Sequence, residues 1–274
     1  MEQDVFESSS NGEASIFASL PNTRDLGGMR TANGQRIVSR ALLRSGALTL
    51  VSSHDSRRLR DDYKLKTIID LRTESEYAVD IDPSKAFPDT RYINIPLLKK
   101  RTLGITKNDN AGIADVIRAL GSNAHDLMKE VYLKLLLDKH SQQGFAQFFE
   151  ELLDAREGAV LWHCAFGKDR TGLATVLLLQ LLDVPEKTIV NDYLATNRFA
   201  PPRIQATTQE FPLQERTKDV LESIRVFNTV DVSFLQAGFD AIREEYGSLE
   251  RYMREALDVS PDKRDALRNK YLVD

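Results

Sequence analysis

One cysteine, Cys164, is all that the 274 residues contain. This excludes an internal disulfide, and it leaves no thiolate cluster of the kind that holds structural zinc. No run is apolar enough to span a bilayer. A span needs about 18–20 consecutive apolar residues, and the stretch from Leu173 to Leu182 is shorter and carries Gln180. Stable membrane insertion is therefore not expected. The opening Met1-Glu2-Gln3-Asp4-Val5 is acidic and lacks the apolar core of a secretion signal, so a reduced, cytoplasmic setting is expected. Positive charge is not in surplus either. The formal net charge of −4 argues against a dedicated nucleic-acid binder while permitting a local basic pocket.

What is present suits one large α/β domain. Residues 1–13 are polar and serine-rich and read as a flexible tail, with a single domain over 14–274. Residues 35–43, 66–71, 91–96 and 158–162 combine β-branched and apolar side chains and read as strands; Pro96 stops the third. Met128, Val131, Tyr132, Leu135 and Leu136 recur at helical spacing, as do Phe145, Phe148, Phe149, Leu152 and Leu153. Leu249, Tyr252, Met253, Ala256 and Leu257 repeat the pattern, and these stripes are read as core. Helices alternating with short strands imply a mostly parallel central sheet of about four to five strands flanked by helices. Residues 99–110 read as a loop, 197–228 as a mobile lid and 229–274 as a helical C-terminal part.

The cysteine stands where a strand should end and a helix begin. Its run is Leu161-Trp162-His163-Cys164-Ala165-Phe166-Gly167-Lys168-Asp169-Arg170-Thr171-Gly172, a Cys-x5-Arg loop ahead of a long apolar segment. Free amide groups and the positive end of a helix dipole meet at such a place, which makes it an anion site. An ordinary cysteine titrates near about 8.5; a helix N-terminus and a nearby cation lower that to roughly 3.5–7.5 and generate the thiolate. Arg170 offers a planar fork for two phosphate oxygens. Ala165, Phe166, Gly167, Lys168 and Asp169 would form the cradle, with Gly167 allowing a tight bend. Attack on a phosphate monoester would give a cysteinyl-phosphate that water then cleaves. Thr171 is placed to hydrogen-bond the sulfur, and His163 to brace the loop.

This loop resembles the signature of the protein tyrosine phosphatase superfamily. Within it the chain is similar to the atypical bacterial and fungal enzymes whose loop reads His-Cys-x-x-Gly-Lys-Asp-Arg-Thr-Gly. Asn22-Thr23-Arg24-Asp25-Leu26-Gly27-Gly28, Leu43-Arg44-Ser45-Gly46 and Ile69-Asp70-Leu71-Arg72-Thr73-Glu74-Ser75-Glu76 resemble further segments of that group. So do Asp192-Tyr193-Leu194-Ala195-Thr196-Asn197 and Tyr246-Gly247-Ser248-Leu249-Glu250-Arg251-Tyr252, so that the resemblance runs from residue 16 to residue 272. It implies a phosphatase-type α/β fold and metal-free, cofactor-free hydrolysis of phosphorylated protein, phosphoinositide or both. Members of the similar subgroup are also exported by other routes. Many relatives carry an acid after a Trp-Pro pair, which this chain lacks. Asp169 and Asp70 remain as candidates, each also readable as a structural brace. Lys168 would contact a second phosphate, or else lower the Cys164 pKa, while Arg24 and Asp25 would tie the N-terminal segment to the site rim. Two rival functions stay open: a rhodanese-like sulfurtransferase, which lacks the Gly-Lys-Asp-Arg-Thr-Gly helix entry, and a non-catalytic phosphate-binding module, which usually loses the cysteine or arginine.

Overall fold

The apolar runs that read as strands form a central sheet of five. The computed structural model of the chain describes residues 15–79, 86–99, 113–120 and 123–274. Its strands are β1 (Arg24–Asp25), β2 (Arg36–Ile37), β3 (Leu42–Ser45), β4 (Leu65–Asp70), β5 (Arg91–Asn94), β6 (Ala159–His163) and β7 (Leu272–Val273). The central sheet has the order β1-β3-β6-β4-β5. All its pairings are parallel except that of the short edge strand β1 with β3. Residues 35–43 do not form one strand as expected. Arg40 turns the chain at a φ of 62°, and its amide is held by the Asp25 carboxylate. The early part, β2, pairs off the main sheet with β7 near the end of the chain, and only Leu42 onward joins the centre.

Side chains alternate across this sheet, as strand geometry requires. Leu42, Ile69, Val160 and Trp162 enter the larger core, while Leu43, Ile68, Leu161 and Ala159 enter a second core with Phe17, Leu59 and Phe87. Both faces are therefore covered, which explains why the parallel strands read as unbroken apolar runs.

The helices are α1 (Ser53–Asp61), α2 (Glu74–Val79), α3 (Ile113–Leu120), α4 (Ala124–Leu137), α5 (Lys139–Asp154) and α6 (Asp169–Leu181). They continue with α7 (Glu186–Ala195), α8 (Pro201–Gln209), α9 (Lys218–Asn228), α10 (Val232–Tyr246), α11 (Leu249–Glu255) and α12 (Pro261–Tyr271). Six of these starts are written in sequence. Ser52, Asp138, Thr217, Asp231, Ser248 and Ser260 each accept a hydrogen bond from an amide in the following first turn. Helix α6, like α4, α7 and α8, has no side-chain cap. It is buried almost throughout, and Lys168 at its cap position makes no side-chain cap, so its first turn keeps its amides for another partner.

The segment expected as a lid, 197–228, is helical: a 3-10 turn over Thr196–Phe199, then α8 and α9. The last part, 229–274, is helical down to β7. The expected tail, 1–13, and all but Lys99 of the expected loop at 99–110 lie outside the described residues. No helix among the described residues is long and apolar enough to cross a membrane.

Candidate active site

Parallel pairing brings three strand ends level. Ser45 of β3 and Asp70 of β4 both stand opposite His163 of β6. Open parallel sheets bind ligands beyond such carboxyl ends. Cys164 is the next residue, 2% exposed, and its loop runs straight into α6. Gly167 makes the bend at a φ of 64°. A Cβ there would meet the backbone of Ser45 and Gly46 at 2.7 Å, so both the angle and the space demand glycine.

The loop is held from outside by its carbonyls. Asn22 Nδ2 donates to Phe166 O at 3.1 Å and Gly167 O at 2.9 Å, and Arg44 Nη2 donates to Gly167 O at 2.8 Å. Asp192 in turn holds both arginines behind these bonds. Arg24 Nε is 2.9 Å from its Oδ1 and Arg44 Nη1 is 2.5 Å from its Oδ2. Arg24 also donates to Asn22 Oδ1. With the carbonyls drawn outward, the amides of residues 165–169 donate to nothing else among the described residues. Buried backbone donors are nearly always paired, so a row of unpaired ones marks a ligand position.

Arg170 is fully buried and gripped on both ends of its fork. Nη1 lies 2.6 Å from Glu76 Oε2 and Nη2 lies 3.0 Å from Glu76 Oε1. Glu76 is fixed in turn by the amide of Thr73 at 3.0 Å. Burial works against the Arg170 charge, but the Cys164 sulfur and the Glu76 carboxylate outweigh it and raise its pKa. The buried Thr171 hydroxyl has no hydrogen-bond partner, so its expected bond to the sulfur is not made in this structure.

Three expectations need correction. Asp70 is not arranged as an acid. It is wholly buried, chelated by Arg72 with Nη2 at 2.7 Å, and accepts from the Tyr92 hydroxyl at 2.6 Å. Burial alone would raise its pKa, yet His163, Arg72 and Tyr92 together hold it at about 2. Such a group is a carboxylate at any working pH and has no proton to give. Lys168 is not open to a second phosphate. It is 0% exposed, its Nζ donating to Phe227 O at 2.9 Å and Thr229 O at 3.2 Å, with Asp169 Oδ2 at 3.2 Å. The carbonyls at the C-terminal end of α9 draw it in. Asp25 does not reach the rim; its oxygens accept from the amides of Gly27 and Arg40 and shape their own turn.

The remaining candidates stay at the loop. Ala165 and Phe166 are half-buried. Asp169 heads α6, with Oδ1 accepting from the Tyr132 hydroxyl at 2.9 Å, which itself accepts from Tyr193 at 2.8 Å. His163 Nδ1 donates to Cys164 O at 3.3 Å, and burial lowers the imidazole pKa below its usual value, leaving it neutral at pH 7. Glu76, Asn22, Asp192, Tyr132 and Arg203 were not singled out from sequence. The first three lie in segments that carry the resemblance, which was the available signal; Tyr132 read only as core and Arg203 only as lid. Among the described residues no cluster could hold a metal ion.

Comparison with known proteins agrees with this geometry. The model of the tyrosine phosphatase family matches residues 16–273. A putative tyrosine-protein phosphatase of Cupriavidus necator is 30% identical over 246 residues, covering 89% of this chain and 84% of that protein. A tyrosine-protein phosphatase of Nostoc commune is 36% identical over 49% of this chain and 41% of its own length. The triple specificity protein phosphatase PtpB of Mycobacterium tuberculosis is 33% identical over 35% of this chain and 38% of its own. The crystal structure of P. aeruginosa TpbA aligns over 74% of this chain and 89% of that one, at 16% identity and a TM-score of 0.27, too low to bear on the argument. A cysteine-arginine phosphate loop at the end of a parallel sheet, within a family match of this length, places the chain in the tyrosine phosphatase family as a cysteine-dependent protein-tyrosine phosphatase.

Proposed function

We propose that the enzyme hydrolyses phosphotyrosine and, beyond it, phosphoserine, phosphothreonine and phosphoinositides, with Cys164, Arg170 and Asp169 as the reacting and clamping groups. The observation that carries this reading is the row of unpaired amides, residues 165–169, above a buried thiol. Three phosphoryl oxygens would take up those donors and the fork of Arg170, while Glu76 keeps that fork turned inward. The Cys164 sulfur attacks phosphorus as the bond to the leaving oxygen breaks, and Asp169 gives that oxygen its proton. Water then attacks the cysteinyl-phosphate, Asp169 takes the proton back, and inorganic phosphate leaves. The free hydroxyl of Thr171 is available to the departing sulfur in this second step.

Asp169 is preferred to Asp70 because it belongs to the loop itself; it meets Lys168 at 3.2 Å and the Tyr132 hydroxyl, whereas Arg72 reaches both oxygens of Asp70. Lys168 is assigned to positioning: it ties the loop to the end of α9. Helices α8 and α9 are read as the lid expected at 197–228. Breadth beyond phosphotyrosine takes support from the triple specificity named for the mycobacterial relative. A metal-free panel of phosphotyrosine, phosphoserine and phosphothreonine peptides and short-chain phosphoinositides tests the reading. Phosphate release from all classes is expected. Release from the phosphotyrosine peptide alone would confine the enzyme to that residue.

A further inference from the structure

The buried cations around the phosphate loop are almost all matched by carboxylates. Arg24 and Arg44 share Asp192, Arg72 has Asp70, Arg170 has Glu76 and Lys168 has Asp169. Arg203, on the first turn of α8, is different. Its guanidinium lies over the ring of Phe166, 4.7 Å from the centroid, and Phe166 belongs to the loop. Nη2 donates to Asn228 O at 2.7 Å, a neutral partner, and the buried Nε has none. Among the described residues no carboxylate lies within ion-pair distance of it. Burial lowers its pKa, and the charges of Asp169 and Cys164 work against that fall. An arginine kept half-buried with an unmatched charge and an unsatisfied donor is costly unless an anion completes it.

We propose that Arg203 is a specificity-determining residue that binds a second phosphate group carried by the substrate next to the scissile one. The inference rests on the reading that polyphosphorylated substrates are accepted, and it moves to Arg203 the role first expected of Lys168. The chemistry favours phosphate over other anions. A guanidinium held over an aromatic ring, with Nη2 tied to Asn228 O, keeps its charge in one place and leaves Nη1 for a tetrahedral anion. The scissile phosphate is already served by Arg170 and the loop amides, so the charge of Arg203 is left for a neighbour on the same molecule. Phe166 is then a platform that orients Arg203 as well as a member of the cradle.

The test uses the full chain, with orthophosphate and pyrophosphate as competitive inhibitors of p-nitrophenyl phosphate turnover. The wild-type enzyme should bind pyrophosphate about tenfold more tightly than orthophosphate, the gain expected of one charged hydrogen bond. Arg203→Met should raise the inhibition constant for pyrophosphate about tenfold more than that for orthophosphate, and Arg203→Lys should restore part of the difference. Equal wild-type affinities, a result that needs no variant to fold, would overturn the proposal. So would equal losses for both anions in the methionine variant. An equally large loss on phosphotyrosine peptides flanked by acidic residues would assign Arg203 to carboxylates and reject the phosphate reading. Phosphoinositide turnover is measured in the same preparation. If it is absent while pyrophosphate is still preferred through Arg203, the substrate reading fails and the Arg203 inference stands.

Discussion

Replacing Glu76 by glutamine tests whether the clamp of the reacting phosphate depends on a residue outside the loop. The carboxylate accepts from both Arg170 nitrogens and from Thr73. A glutamine side chain of the same shape can keep one oxygen, best placed at the Oε2 position where Arg170 Nη1 and Thr73 meet it. Its amide nitrogen then falls opposite Arg170 Nη2, donor against donor, where the structure has a 3.0 Å bond. The change removes one charge-assisted hydrogen bond and leaves the Arg170 cation, which is 0% exposed, without its counter-charge. Breaking a buried pair by removing one partner costs about 3 kcal/mol of stability. For a chain of this size that corresponds to a fall in Tm of roughly 6–12 °C. The fork also loses its fixed plane, so kcat/KM should drop by about ten- to a hundredfold, the worth of one charged hydrogen bond in the transition state. Differential scanning fluorimetry and p-nitrophenyl phosphate kinetics read both numbers. A Glu76→Gln enzyme with wild-type Tm and wild-type kcat/KM would falsify the claim that this pair sets the clamp.

Two further predictions follow from the carboxylates at the strand ends. Asp169→Asn should slow alkyl phosphates, whose leaving groups need a proton, at least tenfold more than p-nitrophenyl phosphate, whose phenol leaves easily; a leaving-group series showing equal losses would reassign Asp169 to bracing the loop. For Asp70 the expectation concerns stability. Its folded pKa of about 2 lies below the ordinary 3.8, so the unfolded chain binds more protons in between and stability is lost as pH falls through that window. The loss is about 2 kcal/mol. Urea titrations between pH 5 and pH 2 should show a smaller fall for Asp70→Asn than for wild type, and parallel curves would remove Asp70 from the account.

The phosphate loop was legible because its chemistry is local: nucleophile, bend, cation and helix start fall within ten consecutive residues. The central strands and the helices with regular apolar stripes were legible for the same reason, since their periodicity reports burial directly. What escaped depends on distant partners. Lys168 reads as a phosphate contact until the end of α9, about sixty residues on, supplies the carbonyls that bury it. Asp70 reads as an acid or a structural brace, and only the closing of Arg72 and Tyr92 around it decides for the brace. Glu76 and Asp192 sit far along the chain from the arginines they hold, and no pattern of spacing joins them. The split of residues 35–43 turned on a residue at positive φ and on pairing with β7, neither of which alternation of side chains reveals.

The central claim is that Cys164 carries the phosphoryl group during turnover. Rapid acid quench of the wild-type enzyme with a phosphotyrosine peptide, followed by peptide mass spectrometry, measures this most directly. A single phosphoryl adduct on the peptide bearing Cys164 is predicted, formed within one turnover, accumulating further in the Asp169→Asn variant and absent from Cys164→Ser. Turnover by the Cys164→Ser protein at a tenth or more of the wild-type rate, or a phosphoryl adduct on any other residue, would contradict it.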